Sequence, residues 1–242
     1  MPVKMTAHEF HERLTALRSS AVARSHGNLA SDEDDIILGV RMGQVFVLAK
    51  EFMDMPLEEI ESMLDSPLHE MRVGAVSIMD FQARSKRTTD VRRKELFDLY
   101  IQRHAKINTW DLVDRSAPYV VGRYLFDKSR RILYKLARSR KMPERRTAIV
   151  STGYFIKQSD PDDTFRIAEM LLEDQEDLIH KAVGWMLRAA GDVDHQKLLN
   201  FLDTYAATMP RTMLRYATEH FDKKQREDYL NLKKSRITNG KK

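Results

Sequence analysis

The chain has 242 residues, 42% apolar and 32% charged, with 41 Lys/Arg against 36 Asp/Glu. No apolar run approaches the roughly 20 residues that cross a bilayer, and the start MPVKMTAHEFHERL lacks the apolar core of a secretory signal. Having no cysteine, the chain can hold no disulfide, thiol nucleophile or cysteine-ligated metal centre, and a cytoplasmic protein is expected.

In chain order, residues 6–24 predict an amphipathic helix with Phe10, Leu14, Leu17 and Ala21 on one stripe. His8-x-x-His11 with Glu9 and Glu12 lies on the same helix. It reads as a solvated face, because a metal site needs further converging ligands. The acidic run SDEDD, residues 31–35, predicts capping of the segment that follows. Pro56, Pro67, Pro143, Pro161 and Pro210 each stand where a new helix should begin. Thr88-Thr89-Asp90 breaks the chain before VRRKELFDLYIQRH. No stretch alternates with period 2 for long enough to demand a sheet. From Lys223 the tail, ending KKSRITNGKK, is expected to be frayed and solvated. The expected organisation is therefore one domain over residues 1–222 and a basic tail over 223–242.

Six segments resemble one another: GVRMGQVFVLA, MRVGAVSIM, NTWDLVD, RRTAIVSTG, HKAVGWMLR and PRTMLRYAT. Aligning Arg41, Arg72, Asp111, Arg146, Lys181 and Arg211 gives a period in the thirties. That period marks an all-α solenoid of about six helix pairs, each burying its apolar face on its neighbours. The six segments are the candidate inner helices of a concave surface. Charge is segregated as well. Residues 84–146 hold 19 basic and 7 acidic residues, a balance of +12, against −7 for the remainder. Like charges crowded into one region cost stability unless a polyanion offsets them, so a basic groove is expected.

Trp110 and Asp114 are four residues apart and share a helix face, while Asp111 points elsewhere, to cap the helix or pair with an arginine. Arg146 falls one repeat later and Trp185 in the next. These are the two tryptophans of the chain. Taken singly, each residue has a structural reading: the tryptophans as core filler, the aspartate as a solvated or paired side chain, the arginine as a brace between repeats. Together, two aromatic walls, a carboxylate and a guanidinium in a basic groove suit a cationic group beside a phosphate.

The stretches INTWDLVDRSAPYVVG, ERRTAIVS, DLIHKAVGWMLRAAG and ATMPRTMLRYATEHF resemble the bacterial alkylpurine DNA glycosylases of the AlkD type, a HEAT-like repeat family. The similarity covers most of residues 35–222. It implies that Trp110, Asp114, Arg146 and Trp185 surround the lesion. Arg188 and Arg211, as neighbouring cations on inner helices, are expected to contact phosphates as secondary positions. The implied activity is excision of cationic N3- and N7-alkylpurines from duplex DNA without base flipping. No cofactor, metal, membrane or obligate protein partner is implied, and a monomer at the bacterial nucleoid is expected. Two departures stand out: Met142-Pro143 where family members often carry an aromatic residue, and Gly153 where many have a bulky one. The principal rival reading is a non-catalytic HEAT-repeat scaffold for nucleic acid. A protein-binding adaptor is disfavoured by the charge segregation.

Overall fold

The computed structural model describes residues 4–20 and 36–239. Ala21 and the acidic run at 31–35 lie outside the described residues. The chain divides into two compact units, Met1–Asp127 and Lys128–Lys242, and each is described by itself.

In the first unit the helices are α1 (Ala7–Ala16), α2 (Met42–Glu51), α3 (Leu57–Leu64), α4 (His69–Arg84), α5 (Asp90–Gln102) and α6 (Trp110–Ser116). The Thr6 hydroxyl caps α1 by accepting from the Glu9 N–H, and Thr89 does the same for α5 from Arg92. Pro56 caps α3, whose first turn carries Glu58 and Glu59, as acids near a helix N-terminus should. Phe10 and Leu14 of α1 are buried, Phe10 meeting Phe52 edge-on at 5.2 Å. Helix α4 is buried over nearly its whole length, because α2, α3 and α6 all pack on it. Gly74 lets α1 come close: a Cβ there would lie 2.5 Å from the Phe10 ring.

The second unit comprises α7 (Arg131–Leu136), α8 (Met142–Lys157), α9 (Asp162–Met170), α10 (Asp177–Val193), α11 (His195–Tyr205), α12 (Arg211–Ala217) and α13 (Lys223–Asn239). Pro143 stands in the first turn of α8, and Pro161 and Pro210 are the caps of α9 and α12. Helix α10 packs against α8, α11 and α12. Its contact with α12 is close, since a Cβ on Gly184 would lie 2.5 Å from the Met213 carbonyl oxygen and the Tyr216 Cβ.

The fold is all-α. Among the described residues the nearest approach to a strand is one bridge between Ile36 and Leu68, and no helix is long and apolar enough to cross a membrane. The six self-similar segments fall on α2, α4, α6, α8, α10 and α12. Within each unit these are the helices that stack on one another in succession.

The C-terminal segment differs from expectation. It is helical from Lys223 through Asn239, and it docks: Tyr229 is buried and donates to Asp203 of α11 at 2.6 Å. Burial, then the Asp203 carboxylate, push the phenol above its ordinary pKa. One buried aromatic among charged neighbours is a weak periodic signal, which is why the sequence reads there as a solvated tail.

Candidate functional site

In the first unit a surface cleft of about 370 Å³ is lined by Met42 and Phe46 of α2, Val73 and Arg84 of α4, and Trp110, Asp111, Asp114 and Arg115 of α6. Trp110 is 41% exposed. This is not the place of a core tryptophan, which would bury its large apolar area. Asp114, one helical turn on, is half-buried.

Two residues of the first turn of α4 fix the start of α6. Arg72 Nη1 donates to Asn108 Oδ1 at 3.0 Å, and His69 Nε2 lies 2.8 Å from Asp111 Oδ2. Asp111 therefore pairs with a fully buried histidine rather than with an arginine. Burial alone would raise the Asp111 carboxyl, but the His69 hydrogen bond and charge, together with the Thr109 and backbone hydrogen bonds, outweigh it and hold the group below its ordinary pKa.

The end of α6 is shaped by Pro118. A proline inside an α-helix lacks the N–H and drives its ring into the carbonyl four residues back, here that of Asp114. The chain instead widens to π-helical turns over Ala117–Gly122 before the helical turn Arg123–Leu125. Such widenings are frequent at functional sites.

In the second unit Trp185 lies half-buried on α10. Arg146 of α8 is only 4% exposed, and its Nη1 donates to the Leu178 carbonyl at the start of α10. Arg211 donates in the same manner to the Leu230 carbonyl of α13, and Arg188 forms an ion pair with Glu219. Lys181 pairs with Asp177 at 2.8 Å. Arg72, Arg146 and Arg211 occupy one repeat position, and each reaches a later segment of its own unit. The bracing reading of this position is what the geometry supports. Arg146, Arg188 and Arg211 thus all engage protein partners.

Residues 10–221 match the family model for the DNA alkylation repair enzymes. The chain belongs to that family. A solved structure described as a predicted DNA alkylation repair enzyme from Enterococcus faecalis is similar, with a TM-score of 0.67 and 16% identity over 85% of this chain and 97% of that one. At that identity the likeness speaks for the fold, an array of HEAT-like helical repeats. No curated protein matches the chain in sequence.

As a DNA alkylation repair enzyme, the chain has two features that modify its sequence reading. Three cations of the basic region are neutralised from distant sequence positions: Arg103 by Glu61, Arg130 by Asp160 and Asp163, and Arg145 by Asp174. Composition alone therefore overstates the free positive charge. The two departures are structurally mild. Pro143 sits in the first turn of α8, where a missing N–H costs nothing. A Cβ on Gly153 would make ordinary contact, at 3.4 Å, with the sulfur of Met186. On α1, His8 and Glu12 are exposed, 3.5 Å apart, and among the described residues no three ligand side chains gather as a metal site.

His69, Asp80, Arg84 and Arg115 escaped the sequence reading. Asp80 and Arg84 at i,i+4 are a legible pair. The contacts His69–Asp111 and Asp80–Arg115 join positions 42 and 35 residues apart, and nothing local signals them.

Proposed function

We propose that this enzyme is a monofunctional alkylpurine DNA glycosylase acting on cationic N3- and N7-alkylpurines in duplex DNA without flipping the base. The observation that carries the reading is the exposed Trp110 beside Asp114 in a cleft walled by Arg84 and Arg115. An alkylated purine already bears a positive charge. When its glycosidic bond breaks, the bonding pair goes to the base, which leaves neutral, and no strong general acid is needed. The charge passes to the deoxyribose as an oxocarbenium-like centre. A fixed carboxylate stabilises that centre, and preorganised electrostatics of this kind are often the largest catalytic contribution. Asp114 takes this role. It also orients the attacking water and accepts its proton, leaving an abasic sugar.

Trp110 contacts the cationic nucleotide through its ring face, worth about 0.5–2 kcal/mol. Trp185 and Arg146 enter on the family resemblance, as a further aromatic contact and a phosphate contact. For Arg146 the geometry favours the brace to Leu178 over a phosphate grip. Arg188 and Arg211, engaged with Glu219 and Leu230, are secondary phosphate contacts at most. The reaction uses no amine nucleophile, so the strand is left uncut. A cleft on a helix surface, in place of a deep pocket, suits a lesion that stays stacked and tolerates bulky adducts.

The test is to incubate the full chain with duplex carrying N7-methylguanine or a bulky N7 adduct, and 2-aminopurine next to the lesion. The reading expects free modified base, an intact abasic strand and no rise in 2-aminopurine fluorescence on binding. Binding with a steep salt dependence but no released base would favour the scaffold instead. A fluorescence rise with release would keep the glycosylase and reject the stacked lesion.

A further inference from the structure

Two guanidiniums share one carboxylate on the wall of the Trp110–Asp114 cleft. Asp80 of α4 is fully buried; Arg84 Nε lies 2.8 Å from it and Arg115 Nη1 3.1 Å. Arg115 is locked in place. Its Nε donates to Ser77 Oγ at 3.0 Å, and its guanidinium lies 4.8 Å from the centroids of both Phe46 and Phe81. Burial lowers the Arg115 pKa from its ordinary value, Asp80 opposes the shift, and the like charge of Arg84 adds to it.

Arg84 is oriented but not enclosed. Its guanidinium lies 3.8 Å over the Tyr119 ring, and 42% of the side chain is exposed. Only its Nε is engaged: among the described residues Nη1 and Nη2 donate no hydrogen bond. The helix end beneath it is neutralised as well. Arg123 Nη1 donates to the carbonyls of Ala83 and Arg84 at 2.8 and 3.0 Å, which offsets the negative potential that a helix C-terminus would turn toward an anion.

We propose that Arg84, aimed by Asp80 and Tyr119 and backed by Arg115, binds a backbone phosphate of the duplex that enters the Trp110–Asp114 cleft. The inference rests on the duplex-repair reading above. Arg84 and Arg115 share the Asp80 carboxylate, and Arg84 stands at the exposed end of that cluster, where a guanidinium edge with free Nη groups is the geometry that takes a phosphate through paired hydrogen bonds. The aromatic ring and the carboxylate hold that edge in place before the ligand arrives, which lowers the ordering cost of binding.

The experiment is a salt titration of binding to undamaged and to N7-methylguanine duplex by the full chain, Arg84→Gln and Arg84→Lys, with urea midpoints to confirm that each is folded. Arg84→Gln should weaken binding about tenfold at low salt, equally on both duplexes, and make the log K against log salt slope shallower by about one. Arg84→Lys should keep the slope while losing part of the affinity. An Arg84→Gln protein that is folded, with slope and affinity unchanged, overturns the phosphate site even if the native chain excises base. A slope that depends on Arg84 in a chain that releases no base supports the site and sinks the glycosylase reading.

Discussion

Beside braces such as Arg72, the first unit holds an arginine open at its cleft, while the arginines expected at the site in the second are all engaged by protein. In the first, Arg84 stands half-exposed at the cleft that holds Trp110 and Asp114. In the second, Arg146 is buried and bonded to a backbone carbonyl, Arg211 is bonded likewise, and Arg188 is ion-paired. A guanidinium with its donors satisfied by the protein holds helices together; one with its Nη groups free can meet a ligand. The repeat position that is most regular in sequence is therefore the structural one. The cation at the cleft lies off that register, at the end of α4.

The largest difference between the two units is expected at Arg146. Truncation by Arg146→Ala removes a charged donor from a buried acceptor and should cost about 2–3 kcal/mol, read as a lower urea midpoint. Arg84→Gln leaves Asp80 paired with Arg115 and should cost less, about 0.5–1 kcal/mol, from the same urea curves. Equal costs would erase the distinction between the two arginines. Next in size is Gly184→Ala, where a Cβ has no room against Met213 and Tyr216. Overpacking of this kind should destabilise by about 1–3 kcal/mol, and an unchanged midpoint would mean that α10 and α12 are less close than described.

The His69–Asp111 pair gives a pH signature confined to the first unit. Because the Asp111 carboxyl is held below its ordinary value, its contribution is present above the unfolded pKa, about 3.9. It disappears as pH falls through the lower folded value. Asp111→Asn should then cost about 1–2 kcal/mol at pH 7, and the gap to the native chain should close as acid protonates the native carboxyl. A gap that stays constant down to pH 2 would point to packing rather than charge. The smallest expected change is at Trp110. With 41% of its surface exposed, Trp110→Ala should cost under about 1 kcal/mol, where a core tryptophan would cost about 3–5. Its loss should appear in excision instead.

Much of the fold is legible in the sequence, since helical periodicity, proline positions and the repeat are local signals. Pro56, Pro161 and Pro210 stand at helix starts as expected, and within each unit the repeat segments fall on helices that stack in succession. Trp110 with Asp114 was readable for the same reason, a four-residue spacing on one helix. What was not readable depends on which helices meet. His69 reaches Asp111, Arg115 reaches Asp80, and the acids that neutralise Arg103, Arg130 and Arg145 come from segments about 30 to 40 residues away in sequence. The docked Tyr229 belongs with these, because a single buried ring leaves no period to detect.

The most direct test of the chemistry assigned to the first unit is the single-turnover release of N7-methylguanine by Asp114→Asn at saturating protein. The rate should fall by about 10²–10³-fold, the scale of removing one preorganised electrostatic group, with duplex affinity retained. A variant that releases base at the native rate would remove Asp114 from the reaction and with it the role proposed for the cleft.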